Sequence, residues 1–130
     1  MIYQERKKHA QSFLGKTVKI IVDRPLGSVH PKYKNIIYSV NYGYIPNVLG
    51  GDGEEIDVYL LGVDIPVSEY TCKIIAVVHR EDDEEDKLIG APESKSFCAS
   101  EIAEKIYFQE KYFNTHIETI YKANMEGRIK

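Results

Sequence analysis

A chain of 130 residues, 43% apolar and 28% charged, suffices for one hydrophobic core and is too short for two, so residues 1–130 read as a single domain. A net charge of −3 gives no basic face for nucleic acid, and no apolar run approaches the length of a membrane span. The N-terminus carries charges where a secretory signal needs an apolar block, and Cys72 and Cys98 lack CxxC spacing, so the chain reads as a cytoplasmic protein with reduced thiols.

In chain order, residues 2–14 read as a short helix closed by Gly15, where a C-terminal cap belongs. Residues 16–22 alternate as a strand, with Val18, Ile20 and Val22 on one face. Pro25, Gly27, Ser28 and Pro31 then force a loop, residues 36–44 are extended and aromatic-rich, and residues 46–53 form another loop. Strands are expected at 55–61, 70–79 and 87–91, the second carrying the continuous apolar run Ile74 to Val78. Six consecutive acids, Glu81 to Asp86, separate the last two. From about Ser100 to Asn124, Ile102, Ile106, Tyr112 or Phe113, Ile117 and Ile120 recur at helical spacing. Ser100 is the expected N-cap, with Ala103 where a capping box needs Glu, and the tail beyond Asn124 is expected to fray. Short strands followed by one long C-terminal helix point to a small barrel or curled sheet with a helix packed on it.

The densest chemistry lies in Asp52-Gly53-Glu54-Glu55-Ile56-Asp57, where Asp52, Glu54 and Asp57 stand at spacings of two and three. Carboxylates packed so tightly repel one another unless a hard divalent cation compensates them, and Mg²⁺ is the usual one where phosphate is the substrate. An acidic turn left in water is the competing reading, because Asp and Gly are ordinary turn residues. The run Glu81 to Asp86 carries the same pair of readings, a solvated hairpin tip or the second half of a metal site. Arg24, Lys32 and Lys87 are either surface ion pairs or phosphate clamps. His9, His30, His79 and His116 are too dispersed for a zinc site, Ser28 near His30 makes no catalytic triad, and no GxxxxGK[ST] loop is present.

Asn41-Tyr42-Gly43-Tyr44-Ile45 followed by Asp52 to Val58 resembles the signature of the soluble family I inorganic pyrophosphatases. Glu85-Asp86-Lys87-Leu88-Ile89 with Ala91-Pro92 resembles that family's acid-x-Lys strand, and Phe108 to Tyr112 the segment supplying a phosphate-binding tyrosine. The resemblance implies an α+β fold: a small OB-like five-stranded β-barrel with a short N-terminal helix and a long C-terminal one. It also implies Mg²⁺-dependent hydrolysis of inorganic pyrophosphate to two phosphates. Asp52, Glu54 and Asp57 would then hold the metals, with Asp82 or Asp83 and Glu85 or Asp86 completing the cluster and Asp23 associated with it. Lys32, Lys87, Tyr42 and Tyr112 would contact phosphoryl oxygens, Arg24 would stabilise the departing phosphate, Tyr38 would support the site, and Glu54 would serve as general base.

Three positions depart from the family pattern. The middle acid is Glu54 where the family has Asp, Phe113 stands where it has a phosphate-binding Lys, and Lys34 falls where it has an acid; a stretch bearing an Arg is also missing between Lys32 and Tyr38. These departures keep two alternatives open: a metal-dependent hydrolase of a nucleotide or other organic pyrophosphate, and a non-catalytic barrel that binds a phosphorylated ligand. The family commonly assembles, which leaves a homo-oligomer open as well.

Overall fold

The computed structural model describes residues 2–120. Helix α1 (Tyr3–Gln11) leads into strands β1 (Thr17–Arg24), β2 (Asn41–Leu49), β3 (Glu55–Leu60), β4 (Glu69–Arg80) and β5 (Lys87–Ala91). Helix α2 (Ala99–Glu110) and strand β6 (Thr115–Thr119) complete the described chain. The sheet runs β1-β2-β3-β5-β4, and an antiparallel pairing of β1 with β4 closes it into a five-stranded barrel. This is the small α+β barrel with two helices that the sequence suggests.

Strand β4 is long enough to serve two neighbours along one edge. Its first half, Glu69–Lys73, pairs with β1, and its second half, Ala76–Arg80, pairs with β6. The sequence reading carries the C-terminal helix to Asn124, whereas α2 ends at Glu110 and Thr115–Thr119 is a strand. Ile117 and Ile120 fall at helical spacing by coincidence, because the ladder of β4 captures the segment after the turn at 111–113. Residues 121–124 of that expected helix, and the tail expected to fray, lie outside the described residues. The helix also starts earlier than read: Cys98 is the N-cap and Glu101 returns its carboxylate to the Cys98 N–H at 2.9 Å, so a capping box is present two residues before Ser100. Strand β2 continues through Pro46 to Leu49, where the sequence reads a loop, and Asn47 takes up the irregularity with a φ of 64°.

Strand side chains alternate between two apolar layers. Ile20, Ile45, Ile56, Val58, Ile74 and Leu88 form one layer, joined by Ala10 of α1. Tyr42, Tyr59, Ile75, Val78 and Ile89 form the other, covered by Ile102 and Ile106 of α2. The alternation puts Asp57 on the same face as Tyr59, and Lys87 on the same face as Ile89. Among the described residues no helix is long and apolar enough to cross a membrane.

Candidate active site

Strand register brings the acidic turn and the acid run together. Strands β3 and β5 run parallel with Val58 opposite Leu88, so Asp57 and Lys87 stand at matching positions one step earlier. The Lys87 ammonium donates to Asp57 Oδ2 at 2.6 Å and also to Glu85 Oε1, and only 3% of its side chain is exposed. Glu85 in turn hydrogen-bonds Asp52 on the turn before β3. The close approach needs glycine: a Cβ on Gly51 would fall 2.5 Å from the Glu84 carbonyl oxygen. Asp52 Oδ1 accepts the Glu54 N–H at 3.0 Å and ties the turn off.

This trio opens into a cleft of about 630 Å³ whose charged lining is Asp23, Arg24, Asp57, Arg80, Glu85 and Lys87. Arg24 reaches it because it pairs with Tyr42 across the β1–β2 ladder, and Tyr42 pairs in turn with Tyr59 of β3. The Tyr42 phenol is held well above its ordinary pKa by burial and then by the nearby charge of Asp57. Tyr38, Tyr112 and Phe113 also line the cleft.

The acid run is divided between two faces. Glu85 faces the cleft, while Asp86 turns the other way and is 4% exposed, accepting from Lys7 Nζ and from the Arg80 N–H, each at 2.9 Å. Asp83 pairs with Arg80 Nη1 at 2.8 Å, and both carboxylate oxygens of Asp82 accept the Asn114 N–H at 3.0 Å, fixing the start of β6. Glu54 is exposed on its turn and outside the cleft lining, as is Lys32, whose ammonium lies 5.3 Å from the Tyr33 ring centroid. Asp52 stands exposed beside Glu85, outside the cleft lining, while Asp57, Glu85, Lys87, Tyr42, Arg24 and Asp23 are gathered in the cleft. Glu54, Lys32, Asp82, Asp83 and Asp86 are not.

Arg80 is the charged cleft residue that the sequence reading passes over. Its guanidinium donates to Glu110 from Nε at 3.0 Å and from Nη2 at 2.6 Å, and the Phe113 ring covers it at 3.6 Å. An Arg ending the apolar run of β4 was the available signal, since a cation there needs a buried partner. Phe113 therefore packs on a cation in this chain, where the resemblance leads one to expect a phosphate-binding Lys.

Asp52, Asp57 and Glu85 supply hard oxygens against the Lys87 ammonium, the Arg80 guanidinium 3.7 Å from Glu85 being matched by Glu110, and two of the three carboxyls hydrogen-bond each other. That surplus of negative charge fits a hard divalent cation. Among the described residues no three potential ligands are already gathered around one point, because Lys87 lies between Glu85 and Asp57. Burial, and then the hydrogen bond shared with Asp52, push the Glu85 carboxyl up to about 7 from its ordinary 4.5, so the shared proton resides on Glu85.

This sets a pH signature. The folded protein binds the Glu85 proton more tightly than the unfolded chain, so that contribution to stability is complete below about 4.5 and is lost as pH rises through about 7. Asp86 acts in the opposite sense. Burial pushes its carboxyl up, but the His79 ring 3.9 Å away and hydrogen bonds from Lys7 and the Arg80 N–H outweigh that and hold it well below 3.8. Its contribution is therefore lost as the solution is made acidic. Carbon-13 NMR of the glutamate carboxyls without metal is expected to show one group titrating near 7 that is absent in Glu85→Gln. Saturating Mg²⁺ is expected to move that titration down by more than a unit. A Glu85 that titrates near 4.5 in both states removes the shared proton.

A family model described as inorganic pyrophosphatase matches residues 7–123. An inorganic pyrophosphatase of Campylobacter jejuni is 35% identical over 81 residues, which are 58% of this chain and 43% of that protein. One of Rhodospirillum rubrum is 32% identical over 92 residues, 65% of this chain and 51% of that protein. The chain thus spans about two fifths to half the length of these curated relatives. Among solved structures, the inorganic pyrophosphatase of Ehrlichia chaffeensis superposes with a TM-score of 0.64 at 21% identity, covering 85% of this chain and 90% of the other. That of Neisseria gonorrhoeae gives 0.63 at 17% identity, covering 85% and 87%. Likeness at such identities speaks for the barrel alone.

Proposed function

The chain belongs to the inorganic pyrophosphatase family, and from that premise we propose that it hydrolyses inorganic pyrophosphate to two phosphates in the cytoplasm, with Mg²⁺ as the metal. The observation that carries this reading is the convergence of Asp57 and Glu85 on Lys87 in one cleft, with Asp52 beside Glu85. Those three carboxylates would hold the cation. When bound, it supplies charge neutralisation at the phosphoryl oxygens and lowers the pKa of a nearby water.

The chain's own groups do the rest. Lys87 and Arg24 offer donors to the phosphoryl oxygens, and the Tyr42 hydroxyl, fixed by burial, orients them. The attacking water adds its oxygen to one phosphorus as the bridging P–O bond breaks, and the bond's electron pair leaves on the second phosphate. Its proton is assigned to Asp57, a carboxylate in the cleft lining, because Glu54 is outside the cleft. Phosphate release from pyrophosphate, measured with Mg²⁺ and again with excess chelator, tests the proposal. Turnover is expected only with the metal, and none in either condition ends the hydrolytic reading.

A further inference from the structure

The cleft is larger than inorganic pyrophosphate requires. At about 30 Å³ per water, a cleft of about 630 Å³ has room for roughly twenty water-sized groups, while pyrophosphate brings about nine non-hydrogen atoms and the cation with its waters takes up part of the remainder. Its volume falls among sites that bury drug-sized ligands, roughly 300–1,000 Å³. The surplus space is not polar throughout. A row of rings leads outward from the charged pole, starting with Tyr42, whose ring centroid lies 5.7 Å from Lys87 Nζ. Tyr38 follows at 5.4 Å from Tyr42, then His30 stacked on Tyr38 at 6.1 Å and 7°, then Tyr33 at 5.2 Å from His30.

The outer rings are held in place and left open. His30 Nδ1 accepts the backbone N–H groups of Lys32 and Tyr33 at 3.0 and 3.1 Å, which fixes the imidazole plane and the tautomer. Burial, then the charges of Arg24 and Lys32, hold the His30 pKa below its ordinary value, so the ring is neutral near pH 7. Tyr33 is 51% exposed and Tyr112, also in the lining, is 54% exposed, although a tyrosine with no ligand to meet gains by burying its ring. Asn35 adds an amide that can donate and accept along the edge of a heteroaromatic ring.

We infer that the cleft takes a diphosphate monoester carrying a flat heteroaromatic group, a nucleoside diphosphate being the simplest case. The terminal phosphate sits at Lys87, and the ring stacks on the His30–Tyr33 end of the aromatic row. This rests on the hydrolytic reading for the chemistry and goes beyond it in the substrate. Water attacks the terminal phosphorus, the anhydride P–O bond breaks with its electron pair leaving on the organic monophosphate, and no other reactant is needed.

The test compares phosphate release from adenosine 5′-diphosphate, methyl diphosphate and inorganic pyrophosphate at saturating Mg²⁺. It is joined to saturation-transfer NMR of adenosine 5′-diphosphate on the metal-free full-length chain. A stacked base contributes enough that kcat/KM for the adenosine compound is expected about tenfold or more above methyl diphosphate. Tyr33→Ala is expected to erase most of that ratio and Tyr33→Phe to keep it. The adenine protons should receive more saturation than the ribose protons, and less in Tyr33→Ala. Equal rates for the two esters, or no saturation on adenine, overturn the inference. Pyrophosphate cleavage without adenine contact rejects the inference and leaves the hydrolase standing. Adenine contact without phosphate release from any substrate supports the ring site and rejects the hydrolase.

Discussion

Asp57→Asn is expected to lower turnover of pyrophosphate by about a hundredfold or more, while the melting temperature stays within about 5 °C of the parent. The substitution keeps shape and removes one negative charge. That charge serves three neighbours at once: it is the 2.6 Å partner of Lys87, a neighbour of the Tyr42 hydroxyl, and one of the carboxylates set to hold the cation. An asparagine oxygen replaces the hydrogen-bond acceptor but neither the attraction for a divalent ion nor the capacity to accept a proton from water. Stability suffers little, because the Asp57 side chain is already 26% exposed and, once Asp57 is neutral, Glu85 releases its proton to become the Lys87 counter-charge. Glu54→Gln is the matching control. With Glu54 exposed on its turn, its turnover should fall far less than that of Asp57→Asn. A stopped-time phosphate assay on both variants, with circular dichroism melts, decides the matter. Equal rates for Asp57→Asn and the parent remove Asp57 from the chemistry, and a reversed order returns the base to Glu54.

The barrel is legible in the sequence because its signals are local: alternation in residues 16–22, the apolar run of β4, and glycines and prolines between strands. What escapes is whatever depends on partners distant in the chain. Residues 115–119 carry no strand signal stronger than their helical one, and they become a strand because the second half of β4 offers a free edge. The six acids look equivalent in sequence. Pleating at the start of β5 separates them, sending Glu85 to the cleft and Asp86 to the opposite face against α1, where Lys7 waits. Arg80 is hidden for the same reason: its partner Glu110 is thirty residues away at the end of α2. The spacing of Asp52, Glu54 and Asp57 locates the site, yet the side chain that joins Asp52 and Asp57 there is Glu85, reached by the parallel pairing of β3 with β5.

Arg80 and Glu110 give the largest effect expected on stability. Glu110 is 5% exposed, receives two N–H groups of Arg80, and accepts the Tyr59 hydroxyl, which itself accepts from Gln109 at 2.7 Å. Glu110→Ala leaves a guanidinium with 4% of its side chain exposed, its Nε without an acceptor, and Asp83 at 2.8 Å and Glu85 at 3.7 Å, both on Nη1, as counter-charges. Removing one member of a buried pair costs about 3–5 kcal/mol, which for a domain of this size lowers the melting temperature by roughly 10 °C or more. The ion pair itself is worth far less than that loss, since both charges were desolvated to form it. The double variant Arg80→Met with Glu110→Leu separates the two quantities. It should recover most of the loss, because two well-sized apolar groups need no partners and Phe113 can pack on the introduced thioether as it does on the guanidinium. Activity is expected to follow a different order. The double variant empties the cleft floor of its buried cation 3.7 Å from Glu85, so it should fold as well as the parent and still turn over more slowly. If instead Glu110→Ala melts within about 2 °C of the parent, then Arg80 is reached by water in the folded protein, and its role as a fixed cation at the cleft floor falls with the stability argument.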